Sequence, residues 1–253
     1  VALKVEASDI ADVGASLKGD VVSAAVTLTN GQTLDSDKKV IADTYAHIDI
    51  TASSTELKNM TQLMLDGSGS ALVINENGSK LVTVDASALG GSVTFGDNEG
   101  DALQGLTYVT TNTAAETVKL GSGIDRVVFG EHTDTDTTIH STTVLKADTV
   151  EGLNLVADED GNLDVDASDM ISLGDLGVFK VAEEVTGATL NLVLKNLAES
   201  SEDDNAFVFQ FDGNTYAYAD LSGNTISDTD VLVKVVGTVD SELLAASLNH
   251  YLS

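Results

Sequence analysis

The sequence contains no cysteine, which excludes disulfide bonds and thiolate metal sites. A secreted chain of this kind therefore needs another source of rigidity. No run approaches the roughly 20 apolar residues of a membrane-spanning helix. The first residues, Val1 to Lys4, also lack the basic and apolar regions of a signal peptide. We therefore expect neither membrane insertion nor a signal peptide in this stretch.

Basic residues are scarce. The 253 residues include 12 Lys and Arg against 41 Asp and Glu, a formal net charge of −29, and Arg126 is the single arginine. Nucleic acid and anionic membranes are excluded as partners, because both are bound by clustered basic residues. Self-repulsion at this charge destabilises a compact state unless cations neutralise it. Carboxylate oxygens are preferred ligands of Ca²⁺, so the composition indicates calcium as the cofactor.

Short apolar runs separated by Gly, Asp, Asn and Ser predict many short strands between residues 57 and 130. The runs begin at Gln62, Ala71, Leu81, Ser92, Leu106, Thr117 and Arg126. Strands at this spacing are typical of an all-β protein. The long breaks favour a parallel β-solenoid of β-roll-like repeats, in which stacked neighbours complete each other's core. We assign residues 56–175 to this solenoid, with degenerate calcium-binding repeats.

The two flanking regions read differently from the repeats. Residues 1–55 form an N-terminal β segment with strands at 21–29 and 46–50, whereas 131–143 form a polar loop. Residues 176–253 form a C-terminal β domain, a sandwich or meander cap. Its strands are expected at 189–194, 207–211, 216–219 and 231–236. A short helix follows from about residue 241, with Asp240 or Ser241 as N-cap.

Residues 120–130 carry the sharpest local signal, a degenerate form of the calcium-binding nonapeptide G-G-x-G-x-D-x-U-x. Gly121 and Gly123 take glycine positions, Asp125 the aspartate and Val127 the apolar position, whereas Leu120 replaces the first glycine. Glycines permit a turn that aims backbone carbonyls inward, and Asp adds charged oxygen. A weaker copy spans residues 95–103 and includes Asp97 and Asp101. The alternative is that both are ordinary glycine turns.

Three stretches, residues 118–130, 146–154 and 216–237, resemble in this order the repeats-in-toxin proteins exported by type I systems. The resemblance is strongest to S-layer proteins of Gram-negative bacteria, whose repeats are sparse. It implies calcium-dependent folding, a C-terminal signal for the type I secretion machinery, a location at the cell surface and a lattice or homo-oligomer of the chain itself. It also implies that Asp148 is a calcium ligand. A turn cap is the alternative role for Asp148.

No motif of an enzyme is present: the sequence has no H-E-x-x-H, no G-x-S-x-G and no phosphate-binding glycine loop. We therefore expect no enzyme, but a structural, calcium-dependent, self-assembling surface protein. The first alternative is the C-terminal module of a type I-secreted adhesin that binds carbohydrate, such as a cell-surface polysaccharide, or a host surface. The second is the non-catalytic domain of a secreted protease or lipase.

Overall fold

The structure of the chain is a computed structural model. It describes residues 1–6, 13–34, 40–44, 46–90, 105–112, 114–130, 147–174, 176–182, 184–200, 206–221, 226 and 230–250. The predicted loop at 131–143 and the apolar run at Ser92 lie outside these residues. The chain divides into two compact units, the first comprising residues 1–109 and 118–127 and the second residues 110–117 and 128–253.

The chain up to residue 129 is built from short strands. They are β1 Ala2–Glu6, β2 Val13–Ser16, β3 Ser23–Thr29, β4 Gly31–Leu34, β5 Val40–Thr44, β6 Ala46–Ala52, β7 Gln62–Gly67, β8 Ser70–Asn75, β9 Thr83–Leu89, β10 Leu106–Thr110, β11 Thr117–Lys119 and β12 Arg126–Phe129. The predicted strands at 21–29 and 46–50 are confirmed as β3 and β6. The predicted starts of β7 to β12 agree with the structure to within two residues.

Consecutive strands from β6 to β12 alternate between two sheets. One sheet has the order β1-β3-β7-β9-β11 and the other the order β2-β6-β8-β10-β12. The pairs from β1 to β9 and from β2 to β8 are parallel. The β4–β5 pair forms a separate antiparallel hairpin. This topology confirms a β-rich chain with parallel sheets.

The core of the first unit consists of side chains stacked in register from strand to strand. Leu63 of β7 lies between Ala24 of β3 and Val84 of β9, and all three are buried. In the other sheet, Ile50 of β6 lies beside Val73 of β8. Because side chains alternate across a strand, the residues between these point outward. The buried side chains of neighbouring strands in one sheet therefore form continuous apolar rows.

Backbone hydrogen bonds connect the turns at the ends of β3, β7, β9 and β11. The amide of Ser68 donates to the carbonyl of Leu28 at 2.9 Å, and Gly90 donates to Gly67 at 2.7 Å. Ser122 then donates to Leu89 at 3.2 Å. One amide and one carbonyl group are paired in this way between each two successive turns, as buried backbone groups require. The glycine turns therefore stack on one another.

The second unit combines strands with two helices. They are β13 Asp148–Glu151, β14 Met170–Ser172, β15 Lys180–Val181, α1 Leu190–Ser200, β16 Ala206–Phe211, β17 Asn214–Ala219, β18 Val231–Val235 and α2 Ser241–Asn249. Five strands form a sheet with the order β13-β18-β17-β16-β15. Its β16–β17–β18 part is antiparallel, which confirms the predicted meander. The positive φ angles of Asp212 and Gly213 fit the type I′ turn of a tight hairpin.

The predicted strand at 189–194 is wrong, because these residues begin α1. Val193, Leu194 and Leu197 of this helix pack with Phe209, Tyr216, Tyr218 and Leu232 of the sheet. The rings of Phe209 and Tyr216 stack with centroids 5.3 Å apart. The aromatic cluster at 207–218 therefore needs a helix, not another strand, to cover it. Neither helix among the described residues is long and apolar enough to cross a membrane.

Helix α2 begins where the sequence predicts. Asp240 is its N-cap and accepts hydrogen bonds from the amides of Glu242 at 2.9 Å and Leu243 at 3.2 Å. Leu244 and Leu248 are buried, and α2 packs on β14, β15 and β16.

We expect Asp240→Ala to lower the free energy of unfolding of the second unit by about 1 kcal/mol, because two amides of the first turn lose their acceptor. Urea denaturation followed by circular dichroism measures the change. Ser241→Ala is the control, since it changes the neighbouring residue and retains the cap. Equal stability of the two variants would contradict the assignment of the cap.

Candidate functional site

Asp125 lies immediately before β12, and its side chain is fully buried. Its Oδ1 atom accepts a hydrogen bond from the amide of Leu106 at 2.6 Å, and its Oδ2 atom accepts one from the amide of Gly121 at 2.7 Å. Leu106 is the first residue of β10. The carboxylate therefore joins its own turn to the beginning of a strand in the same sheet. Val127, predicted as the apolar position of the motif, is fully buried as expected.

Two glycines make this arrangement possible. A Cβ atom on Gly105 would overlap Oδ1 of Asp125, and one on Gly121 would overlap the carbonyl oxygen of Leu89. The sequence indicates Gly121 as a residue that permits a tight turn. In the structure it permits close approach of two stacked turns and donates its amide to Asp125. Gly123 lies half-buried in the same turn.

The burial of Asp125 changes its acidity. Desolvation raises the pKa of the carboxyl group from its ordinary 3.8 to about 6, although the amides of Leu106 and Gly121 favour the charged form and oppose the rise. The group therefore titrates close to neutral pH.

Asp148 occupies a comparable place in the second unit. It is the first residue of β13, it is almost completely buried, and its Oδ1 atom accepts the amide of Glu116 at 2.8 Å. Glu116 is buried too, and its Oε1 atom lies 3.1 Å from the Thr110 hydroxyl that donates to it. The hydrogen bond from Glu116, which lies 32 positions away, connects Asp148 to a distant segment of the second unit.

Two further aspartates share this arrangement, and sequence reasoning missed both. Asp169 precedes β14 and accepts the amide of Asn154 at 2.7 Å. Asp230 precedes β18 and accepts the amide of Leu221 at 3.1 Å and the hydroxyl of Tyr218 at 3.2 Å. Both are buried. We call Asp125, Asp148, Asp169 and Asp230 the strand-entry aspartates. Their shared sequence signal is an Asp at the first position of a strand or directly before it.

The second predicted repeat, with Asp97 and Asp101, lies outside the described residues. The acidic stretch 158–166 is described, and its acidic residues are exposed except Asp164, which is half-buried. The amides of Asn162 and Asp160 donate to Asp158 at 2.8 and 2.9 Å, and these bonds, that of Asn162 foremost, lower the pKa of Asp158. This stretch is therefore an acidic turn closed by its own first carboxylate.

Both carboxylate oxygens of Asp125 accept hydrogen bonds from backbone amides. Calcium takes six to eight oxygen ligands, whereas both oxygens of Asp125 face N–H donors. In the part of the chain that the structure describes, no three His, Cys, Asp or Glu side chains are grouped so that they could hold a metal. Calcium binding by the chain stays a prediction, as does ligation by Gly121, Gly123, Asp125, Asp148, Asp97 and Asp101.

Comparison with models of known protein families finds no match for the chain, and comparison with curated protein sequences finds no significant relative.

Proposed function

We propose that the chain is a structural protein of the bacterial cell surface that self-assembles into a layer when calcium is present. The observation that carries the proposal is the alternation of β6 to β12 between two sheets. Strands that alternate in this way wind into a β-solenoid, and we infer that the first unit is one. Solenoids present extended surfaces for contacts with other molecules, which is the property a lattice subunit needs.

The charge of the chain gives calcium its role in this proposal. Copies that carry a net charge of −29 repel each other at neutral pH. Divalent cations bound to exposed carboxylates reduce this repulsion and bridge neighbouring copies. The acidic turn at 158–166 offers such carboxylates, because Asp158, Glu159, Asp160 and Asp166 are exposed. The resemblance to type I-secreted surface-layer proteins supports the same function and a location outside the cell.

The proposal is tested by adding calcium to the monomeric full chain and following light scattering, with electron microscopy of the product. We expect ordered sheets in calcium, dispersal by a chelator and much weaker assembly at the same ionic strength of sodium chloride. Magnesium is the matched divalent control, because it retains its water and bridges carboxylates less readily. A protein that stays monodisperse in calcium contradicts the proposal. If it also binds a glycan, the adhesin alternative is favoured.

A further inference from the structure

Backbone N–H groups face the carboxylates of the strand-entry aspartates. In a calcium-loaded turn, the metal ion faces the carboxylate instead. We infer that backbone amides take the place of calcium at these carboxylates, so that the turn at Asp125 folds and stays closed in the absence of calcium. The inference does not depend on the proposed function. It separates the folding of the monomer, which needs no metal, from the assembly of the layer, which calcium promotes.

The hydrogen bonds of Asp125 carry the inference. Two amides, those of Leu106 and Gly121, aim the positive ends of their dipoles at the carboxylate oxygens from 2.6 and 2.7 Å. Hydrogen bonds to a charged group are each worth about 1.5–3 kcal/mol. The amide of Gly121 belongs to the connection that leads to Asp125, whereas the amide of Leu106 belongs to the first residue of β10. The carboxylate therefore holds the turn together in the way that a shared cation would.

The packing around Oδ1 of Asp125 is tight on the side of Gly105. The backbone of Gly105 lies against this oxygen so closely that a single methyl carbon there would overlap it. A calcium ion requires more space, because its further oxygen ligands must also fit around it. To ligate calcium, Asp125 would have to turn away from Leu106 and leave that buried amide unsatisfied.

The same arrangement recurs in the second unit. Asp148, Asp169 and Asp230 each begin or precede a strand, each is buried, and each accepts a backbone amide. These amides belong to Glu116, Asn154 and Leu221. All four strand-entry aspartates therefore accept a backbone amide, so we extend the inference from Asp125 to the other three.

The first experiment uses the wild-type full chain after exhaustive chelation. Far-UV circular dichroism reports the strands, and amide hydrogen exchange reports the amides of Leu106 and Gly121. We expect a folded spectrum in the chelator, slow exchange at both amides and no change in their exchange rates when calcium is added to the monomer. An unfolded chelated chain, or protection of these two amides only in calcium, would overturn the inference.

The second experiment removes the acceptor. Asp125→Ala, measured in the chelator, should raise the exchange rates of the Leu106 and Gly121 amides by roughly ten- to a hundredfold, the factor that corresponds to the loss of one charged hydrogen bond each. Asp66→Asn is the control, because Asp66 is an exposed acidic residue of β7 in the same unit. Asp125→Asn, which retains one acceptor oxygen, should lie between the two.

These outcomes are distinguishable from failure of the proposed function. A chain that folds in the chelator and never assembles in calcium retains the inference and contradicts the layer. A chain that needs calcium to fold, and then assembles, contradicts the inference and supports the proposed layer. If Asp125→Ala fails to fold, the circular dichroism and amide exchange of the chelated wild-type protein test the inference alone. Unchanged exchange in a folded Asp125→Ala contradicts the inference directly.

Discussion

Gly121→Ala should lower the free energy of unfolding of the first unit by roughly 3–5 kcal/mol, the sum of overpacking and of a strained hydrogen bond to a buried charge. A Cβ atom at this position would overlap the carbonyl oxygen of Leu89 and would come within 2.8 Å of the carbonyl oxygen of Ala86. Both contacts are with backbone, which cannot move without opening the stacked turns. The same shift would pull the Gly121 amide away from Asp125.

Gly90→Ala is the matched control for this substitution. Gly90 follows Leu89 in the preceding turn as Gly121 follows Leu120, and a Cβ atom there meets only ordinary contacts at 3.5 Å and beyond. We expect a change below about 1 kcal/mol, since the loss of glycine entropy in the unfolded chain offsets small strains. Urea denaturation of both variants and the wild type gives the comparison. If the two variants are equally stable, close approach is not the reason for glycine at position 121.

The strands are the part of the fold that the sequence predicts well. Short apolar runs between glycine-rich breaks place β7, β8 and β10 correctly, because their alternating burial matches the alternation of residue types. The order of the strands in two sheets does not follow from spacing alone. The order of the strands depends on which buried side chains pack against each other, as Leu63 of β7 packs beside Ala24 of β3.

Helix α1 shows where a short window misleads. Residues 189–194 alternate like a strand over six positions. The buried residues Val193, Leu194, Leu197 and Ala198 follow a helical period that becomes visible only when the window extends beyond residue 194. In a strand, Leu192 would lie on the same buried face as Leu190 and Leu194. In the helix, Leu192 is 43% exposed.

The candidate site was predictable in its residues but not in its partners. The motif at 120–130 identifies Gly121 and Asp125 as a pair, and the structure joins them by a hydrogen bond. The partner on the other side, Leu106, lies 19 positions away and carries no polar side chain that could mark it. An apolar residue that contributes only its backbone amide leaves no signal in the sequence. Asp169 and Asp230 were missed because the amides that donate to them are backbone groups of Asn154 and Leu221, and the Tyr218 hydroxyl that also donates to Asp230 lies 12 positions away.

Asp125 also gives the stability of the first unit an unusual dependence on pH. Burial raises its pKa from 3.8 to about 6, so the folded chain binds this proton more tightly than the unfolded chain does. The stability that it contributes is fully present below pH 3.8 and is lost as the pH rises through about 6. The difference in pKa corresponds to roughly 3 kcal/mol of unfolding free energy.

Other carboxylates act in the opposite sense at lower pH. Burial alone would raise the pKa of Asp85, but hydrogen bonds from Ser87 and the charge of Lys119 lower it overall. A lowered pKa stabilises the folded chain above the ordinary value and loses that effect as the pH falls. Asp85 and Asp125 therefore act in opposite senses, and the Asp125 contribution is lost as the pH rises from 3.8 through about 6.

We expect the wild-type chain, in a chelator and at constant ionic strength, to be more stable at pH 4.5 than at pH 7.5 by roughly 2 kcal/mol, because part of the Asp125 contribution is already lost at pH 4.5. Asp125→Asn should lose most of this difference, because an amide does not titrate, and should be less stable at pH 4.5, where it lacks an acceptor for one buried amide. Asp66→Asn removes one acidic group from the exposed surface and controls for the general repulsion of an acidic chain. Urea denaturation of the three proteins at both pH values makes the measurement. A pH dependence of Asp125→Asn equal to that of Asp66→Asn would show that general repulsion, and not the buried carboxylate, sets the profile.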